Sequence, residues 1–140
     1  MTATRSLFQV TLVVDDYDRA KAYYCDVLGF ECTADVDQGE GKRWVVVRPG
    51  TEGGGGSGSG GAALVLARAA TAAQTAAVGN QTGGRVGFFL STDDIARDRA
   101  ALLGRGVRFL EEPRVMPYGT VVVFEDLYGN TWDLIQPVEG

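Results

Sequence analysis

The residue best placed to do chemistry is Asp133, an acid in the middle of the last predicted strand. Neighbouring side chains of a strand point to opposite faces, so Asp133 shares a face with Thr131 and Ile135, while Trp132 and Leu134 lie on the other. A carboxylate on an otherwise apolar or small face is either solvent-facing at the sheet rim or directed into a cavity. In an apolar cavity, burial would raise its pKa and suit it to act as a general base.

Gln9 is a second polar side chain on a predicted strand, within the β-branched run from Phe8 to Val14. It shares a face with Thr11. The opposite face is hydrophobic, and we expect it to pack beneath the helix that follows; its residues are Phe8, Val10, Leu12 and Val14.

The chain has no histidine, so the commonest general base and transition-metal ligand are both absent. This excludes nucleophile systems of the Ser–His and Cys–His kinds. The two cysteines, Cys25 and Cys32, fall in a predicted helix and a predicted strand, and their spacing indicates neither a zinc motif nor a redox pair. They are interpreted as two free core thiols.

Composition favours one compact domain of residues 1–140, because 45% of the residues are hydrophobic. With 13 basic and 18 acidic residues the net charge is −5, and no basic run offers a face for nucleic acid or an anionic membrane. No apolar run approaches the roughly 20 residues that span a bilayer, and no signal-peptide core is present. The sequence therefore predicts a cytoplasmic protein with neither partner.

The predicted elements occur in the same order twice. After the first strand, Asp15 or Asp16 is expected to cap a helix that ends at Gly29, and strands follow. Asp93 and Asp94 stand 78 positions after Asp15 and Asp16 and precede a second predicted helix. We predict two β-α-β-β-β modules, at about residues 6–68 and 85–138, and a flexible Gly/Ser-rich loop at residues 50–61.

Two such modules resemble the vicinal oxygen chelate superfamily, which includes glyoxalases, bleomycin-resistance proteins and extradiol dioxygenases. The motifs that carry the resemblance are Val13-Val14-Asp15-Asp16 before the first helix and Asp126-Leu127-Tyr128-Gly129-Asn130 before the last strand. The resemblance covers Phe8 to Pro137. It implies an α+β fold in which the modules form a curled mixed sheet around a cleft.

The resemblance also implies four positions for metal ligands, which fall here on Gln9, Val65 or a neighbour, Gly87 and Asp133. Gln9 and Asp133 fit as oxygen donors, whereas valine and glycine side chains cannot bind a metal. By the family's geometry Gln9 and Asp133 face each other across the cleft, where they could also bond only to each other or to water. We expect no transition metal and no cofactor, although a weakly held divalent ion such as Mg²⁺ is compatible with one carboxylate.

Aromatic and cationic residues complete the expected ligand site. Core packing is an equally good interpretation for Trp44 and Phe89, and a solvated side chain is the alternative for the arginines. Tyr118 lies in a loop before a strand, where binding residues are common. The expected ligand contacts are Trp44, Phe89, Tyr118, Phe124, Arg43 and Arg114.

Three functions fit these expectations. The first is metal-free binding of a small planar or carbonyl-bearing molecule. The second is a lyase, isomerase or epimerase in which Asp133 is the base and Gln9 orients a carbonyl or enolate oxygen. The third is an accessory protein with a vestigial cleft. A homodimer is expected in each case, because exposed sheet edges need covering.

Overall fold

The computed structural model describes residues 3–50 and 61–138. The chain forms two compact units, Met1–Thr75 and Ala76–Gly140. Apart from Gly50 and Gly61, the predicted Gly/Ser-rich loop lies outside the described residues.

The first unit contains one four-stranded sheet and one helical segment. Its strands have the order β1-β4-β3-β2, in which β1 is parallel to β4 and the other pairs are antiparallel. The elements are β1 (Gln9–Val14), α1 (Tyr17–Ala22), a π-helical turn (Tyr23–Val27), β2 (Phe30–Gly39), β3 (Lys42–Pro49) and β4 (Ala63–Arg68).

The helical segment begins where the sequence predicts. The Asp16 carboxylate accepts a hydrogen bond from the Arg19 backbone N–H at 2.9 Å, and Gly29 ends the segment with a φ of +79°. The buried side of the sheet consists of apolar residues that alternate along the strands, namely Leu12, Val14, Val45, Val47, Leu64 and Leu66. Phe8 and Val10 are exposed, so the prediction that they pack beneath the helix was wrong. Alternation predicts the face of a residue but not how far along the strand a helix reaches.

The second unit has the same strand order, β5-β9-β8-β6, with β5 parallel to β9 and an additional strand, β7, paired with β8. The helix α2 (Ala72–Ala77) precedes it. The elements are β5 (Phe88–Ser91), α3 (Ile95–Gly104), β6 (Arg108–Phe109), β7 (Arg114–Met116), β8 (Gly119–Glu125) and β9 (Thr131–Pro137).

The helix α3 is joined to the sheet at its first turn. The Asp94 carboxylate accepts from the Arg97 backbone N–H at 3.0 Å, and the Ile95 backbone N–H donates to Gln136 Oε1 at 2.9 Å. On the same side of the sheet as Gln136, the rings of Phe124 and Trp132 are stacked with their centroids 5.8 Å apart.

The elements of the two units confirm the α+β fold with two tandem modules. Within the described residues, every helix is too short or too polar to cross a membrane.

Candidate functional site

Asp133 lies in the middle of the second sheet, between a residue of β5 and a residue of β8. Its register partners are Phe89 on β5 and Val123 on β8. Trp132 and Leu134 are buried on the other side, as the alternation predicts. We call the side that carries Phe89, Val123, Asp133 and Ile135 the Asp133 face.

The Asp133 carboxylate is only partly satisfied by its surroundings. The side chain is half-buried, and its Oδ1 atom is buried without a hydrogen-bond partner among the described residues. Burial raises the pKa of Asp133 above its ordinary value of 3.8, Arg114 opposes the rise, and Glu111 adds to it. An unsatisfied buried acceptor of this kind can bind a donor from a ligand or hold a proton.

Arg114 and Glu111 form the charged margin of this face. Arg114 Nε donates to both carboxylate oxygens of Glu111, at 3.0 and 2.9 Å, and Glu111 Oε2 also accepts from the Val123 backbone N–H at 3.2 Å. These hydrogen bonds raise the pKa of Arg114, and the charge of Asp133 contributes to the rise. Sequence reasoning did not single out Glu111, because an acid in a loop carries no signal of the strand to which it bonds.

Two aromatic side chains of the second unit are largely accessible. Phe89 is 66% exposed although it stands beside Asp133 in the register. Tyr118, at the turn between β7 and β8, is 51% exposed and interacts electrostatically with Arg114. Of the predicted ligand contacts, Phe89 and Arg114 therefore lie beside Asp133, whereas Tyr118 lies beside Arg114.

Phe124 does not belong to this group. It is fully buried, and its ring lies 5.6 Å from that of Phe109 on the side of the sheet opposite Asp133. Strand alternation explains the difference, because Phe124 pairs with Trp132 and not with Asp133. The structure makes Phe124 a core residue instead of the ligand contact that we expected.

In the first unit, Gln9 and Trp44 lie on the side of the sheet away from the helical segment. Gln9 shares this side with Thr11, and Thr11 pairs with Val65, which pairs in turn with Val46. Trp44 follows on the same side and is 38% exposed. We call this side the Gln9 face; it is mainly apolar, and Gln9 supplies an amide.

Arg43 does not join Trp44 on the Gln9 face. It lies on the helix side of β3, where its guanidinium donates to Asp35 at 2.8 and 3.1 Å and to Asp18 at 2.9 Å. Arg43 and Lys21 hold the pKa of Asp35 at about 2. Since Arg43 is engaged by two carboxylates on the other face, the structure separates it from the aromatic residue with which it was predicted to act.

The donor set does not fit a zinc or iron site. Within residues 3–50 and 61–138, no group of three or more His, Cys, Asp or Glu side chains is placed to hold a metal ion. Of the four positions that the resemblance implies, Val65 and Gly87 offer no side-chain donor. Structural and catalytic zinc sites use three or four protein ligands, more than these positions supply.

The two units, each with a parallel first and last strand and a helix on one side of its sheet, define a protein of the glyoxalase type. The chain belongs to the Glyoxalase/Bleomycin resistance protein/Dioxygenase superfamily, whose family model matches residues 6–134.

The similarity to known proteins covers nearly the whole chain. An uncharacterized protein of Shewanella frigidimarina is 47% identical over 133 residues, which cover 94% of this chain and 93% of that protein. The crystal structure of UcmS2 is 30% identical with a TM-score of 0.77, covering 95% of this chain and 98% of the other. That of TnmS3, an antibiotic binding protein from Streptomyces sp. CB03234, is 29% identical with a TM-score of 0.74, covering 99% and 100%.

Proposed function

We propose that this protein binds a small planar or carbonyl-bearing organic molecule on the Asp133 face without a metal ion. The observation that carries the proposal is the position of Phe89, a large and mostly exposed aromatic ring directly beside a half-buried carboxylate. Small-molecule sites combine apolar surface with a few polar groups that fix the orientation of the ligand. Phe89 supplies a stacking surface, and Asp133 and Arg114 supply an acceptor and a donor.

The similarity to TnmS3 supports binding over other functions. TnmS3 is described as an antibiotic binding protein, and the match covers both chains almost completely. A shared fold does not decide function, so the proposal depends on the Asp133 face itself. The first unit offers related chemistry separately: on its Gln9 face the amide of Gln9 lies toward one end of the sheet and the accessible indole of Trp44 toward the other.

Binding can be tested with a panel of planar aromatic ketones and quinones, by native mass spectrometry and by the change in melting temperature. We expect at least one compound to bind with one defined stoichiometry, and its affinity to be unchanged by EDTA. Asp133→Asn should weaken binding, and Glu112→Gln, which alters an exposed carboxylate paired with Arg99, is the matched control. If no compound binds, the accessory function is the better account.

A metal-dependent function predicts a different result in the same experiment. Protein purified without chelator would contain near-stoichiometric zinc, iron, nickel or manganese by elemental analysis. The metal and the ligand affinity would both be lost on EDTA treatment, and Asp133→Asn would lack the metal. Such a result would overturn the metal-free proposal.

The second candidate function is proton transfer with Asp133 as the base, in a lyase, isomerase or epimerase. It is favoured by one observation, the buried Oδ1 of Asp133 that has no partner in the described part of the chain, together with the raised pKa of this group. The test is exchange of an acidic C–H of a bound carbonyl compound in D₂O, followed by NMR. Exchange that is accelerated by the wild type and lost in Asp133→Asn would establish catalysis.

We also propose a homodimer, because β2 is an edge strand of the first sheet and carries the exposed Val36. The chain has a mass of 14.9 kDa, so light scattering at micromolar concentration should give about twice that value. A mass of one chain would contradict the proposal.

A further inference from the structure

Cys25 and Cys32 lie at two irregularities of the backbone in the first unit. Cys25 is in the middle of the π-helical turn Tyr23–Val27. Cys32 lies at a β-bulge, where the register between β2 and β3 shifts between Cys32 and Ala34. Both kinds of irregularity redirect side chains, and both are frequent at functional sites.

The bulge keeps Cys32 and Asp35 on the same side of β2. Cys32 pairs with Val47 and Asp35 pairs with Val45, and both valines are fully buried on the helix side of the sheet. Three residues apart, the two side chains would point to opposite faces of a regular strand. Because of the bulge, both face the helical segment that contains Cys25.

Two contacts hold β2 against this segment on either side of the cysteines. The rings of Tyr24 and Phe30 meet edge to face with centroids 5.3 Å apart, and Lys21 Nζ lies 2.9 Å from Asp35 Oδ2. Cys25 follows Tyr24 directly, and Cys32 stands between Phe30 and Asp35. The thiol of Cys25 is hydrogen-bonded by the Cys32 backbone and interacts electrostatically with the Cys32 thiol.

Both thiols are free and half-buried, so small molecules can reach them. The Cys32 thiol donates to the Ala34 carbonyl, at 3.3 Å. The Lys21 ammonium interacts electrostatically with both sulfurs.

We infer that Cys25 and Cys32 form a dithiol site that a hydroperoxide oxidises to an intramolecular disulfide. One thiolate attacks the hydroperoxide oxygen, the O–O bond breaks, and the alkoxide leaves with a proton as an alcohol. The resulting sulfenic acid is attacked by the second sulfur, the S–S bond forms, and water leaves. Two thiols thus lose two electrons and two protons, and the hydroperoxide is reduced to alcohol and water.

The surroundings of the two sulfurs indicate the order of the steps. Burial, together with the Cys32 and Asp26 charges, raises the pKa of the Cys25 thiol. Cys32 is assigned the first attack, because it lies on the same side of β2 as Asp35, which holds the Lys21 ammonium at 2.9 Å, and Cys25 is assigned the closing step.

The test is oxidation of the full-length protein with hydrogen peroxide, followed by intact mass spectrometry and thiol alkylation. We expect the mass to fall by two hydrogen atoms and both thiols to be lost together, without covalent dimers. Cys25→Ser should instead retain a sulfenic acid that dimedone traps on Cys32. Independent oxidation of the two sulfurs, or covalent dimers as the main product, would overturn the inference.

A second measurement does not depend on cysteine variants. The equilibrium constant between the dithiol and disulfide forms of the protein is measured in a glutathione redox buffer, once with the chain native and once with it unfolded in guanidinium chloride. If the fold aligns the thiols, the equilibrium constant for disulfide formation should be at least tenfold larger in the native chain than in the unfolded chain. Asp35→Asn removes the contact with Lys21 and should reduce this ratio. An equal or smaller stability in the native chain would contradict the inference.

Discussion

Val65 and Asp133 occupy the same register position in their two sheets. Val65 pairs with Thr11 on the first strand of its unit, and Asp133 pairs with Phe89, which stands 78 positions after Thr11. One position therefore holds a valine in the first sheet and a carboxylate in the second. Acid chemistry at this position is confined to the second unit.

The charge of Asp133 should cost stability. Its pKa in the folded chain lies above the ordinary 3.8, so the folded state is favoured when the group is protonated and loses that advantage as the pH rises through the folded pKa. We expect Asp133→Asn to be more stable than wild type at pH 7, by less than about 1 kcal/mol because solvent screens a half-buried group. Thermal melts from pH 7 down to about 3 should show the difference shrinking, and a less stable variant at pH 7 would contradict this account.

Phe89 should contribute to ligand affinity and little to folding. Because its ring is mostly exposed, Phe89→Ser should change the free energy of unfolding by no more than about 0.5 kcal/mol. Loss of a stacking surface should weaken binding of a planar ligand about tenfold, which corresponds to about 1.4 kcal/mol. Leu103→Ser, at an exposed position of α3 (45%), is the control and should leave affinity unchanged. Equal losses of affinity in both variants would show that Phe89 is not a specific contact.

The buried carboxylate of Asp126 should be essential to the last hairpin. Its Oδ1 accepts from the Tyr128 and Asn130 backbone N–H groups, each at 2.9 Å, and its Oδ2 accepts from Asn130 Nδ2 at 2.9 Å. Asp126→Ala would leave these donors without their acceptor and should cost about 3 kcal/mol in chemical denaturation. Asp93→Ala removes only an exposed ion pair with Arg97 and should cost less than about 1 kcal/mol. Similar losses in the two variants would mean that the turn tolerates the change.

Gly119 and Gly29 allow steric crowding to be separated from backbone strain. Both have positive φ, but a Cβ at Gly119 would lie 2.3 Å from the Gln136 carbonyl oxygen, whereas one at Gly29 would meet nothing within 4 Å. Gly29→Ala should therefore cost about 1 kcal/mol, the strain alone. Gly119→Ala should cost more than about 3 kcal/mol, because β8 and β9 must also move apart. Denaturant titrations of the two variants measure the difference, and equal costs would contradict it.

Much of the fold could be predicted because its signals are local. The carboxylates of Asp16 and Asp94 cap their helices as expected, since an N-cap needs only the backbone a few residues ahead. The strand expected after the second helix is only two residues long, Arg108–Phe109, and β7 is an additional strand that was not predicted. Short strands depend on pairing with β8, which lies elsewhere in the sequence.

The candidate site could be predicted only in part. Alternation along β9 singled out the side chain of Asp133, which in the structure shares its face with Phe89, Val123 and Ile135. Alternation alone could not assign Phe124 to the core, because the face of β8 that is buried depends on its register with β9. The sequence also left open whether Arg43 would bind a ligand, because its partners Asp18 and Asp35 lie on other elements.

The sequence by itself determined the order of the two main helices and the longer strands, the helix caps and the absence of histidine, because each follows from residue types and spacing within a short stretch. Only the tertiary structure decided which polar groups meet. Glu111 reaches the backbone of Val123, and Cys32 turns toward the segment that carries Cys25 because a bulge interrupts β2. Such meetings depend on register and on backbone irregularities, which are set by packing between segments and leave no local pattern in the sequence.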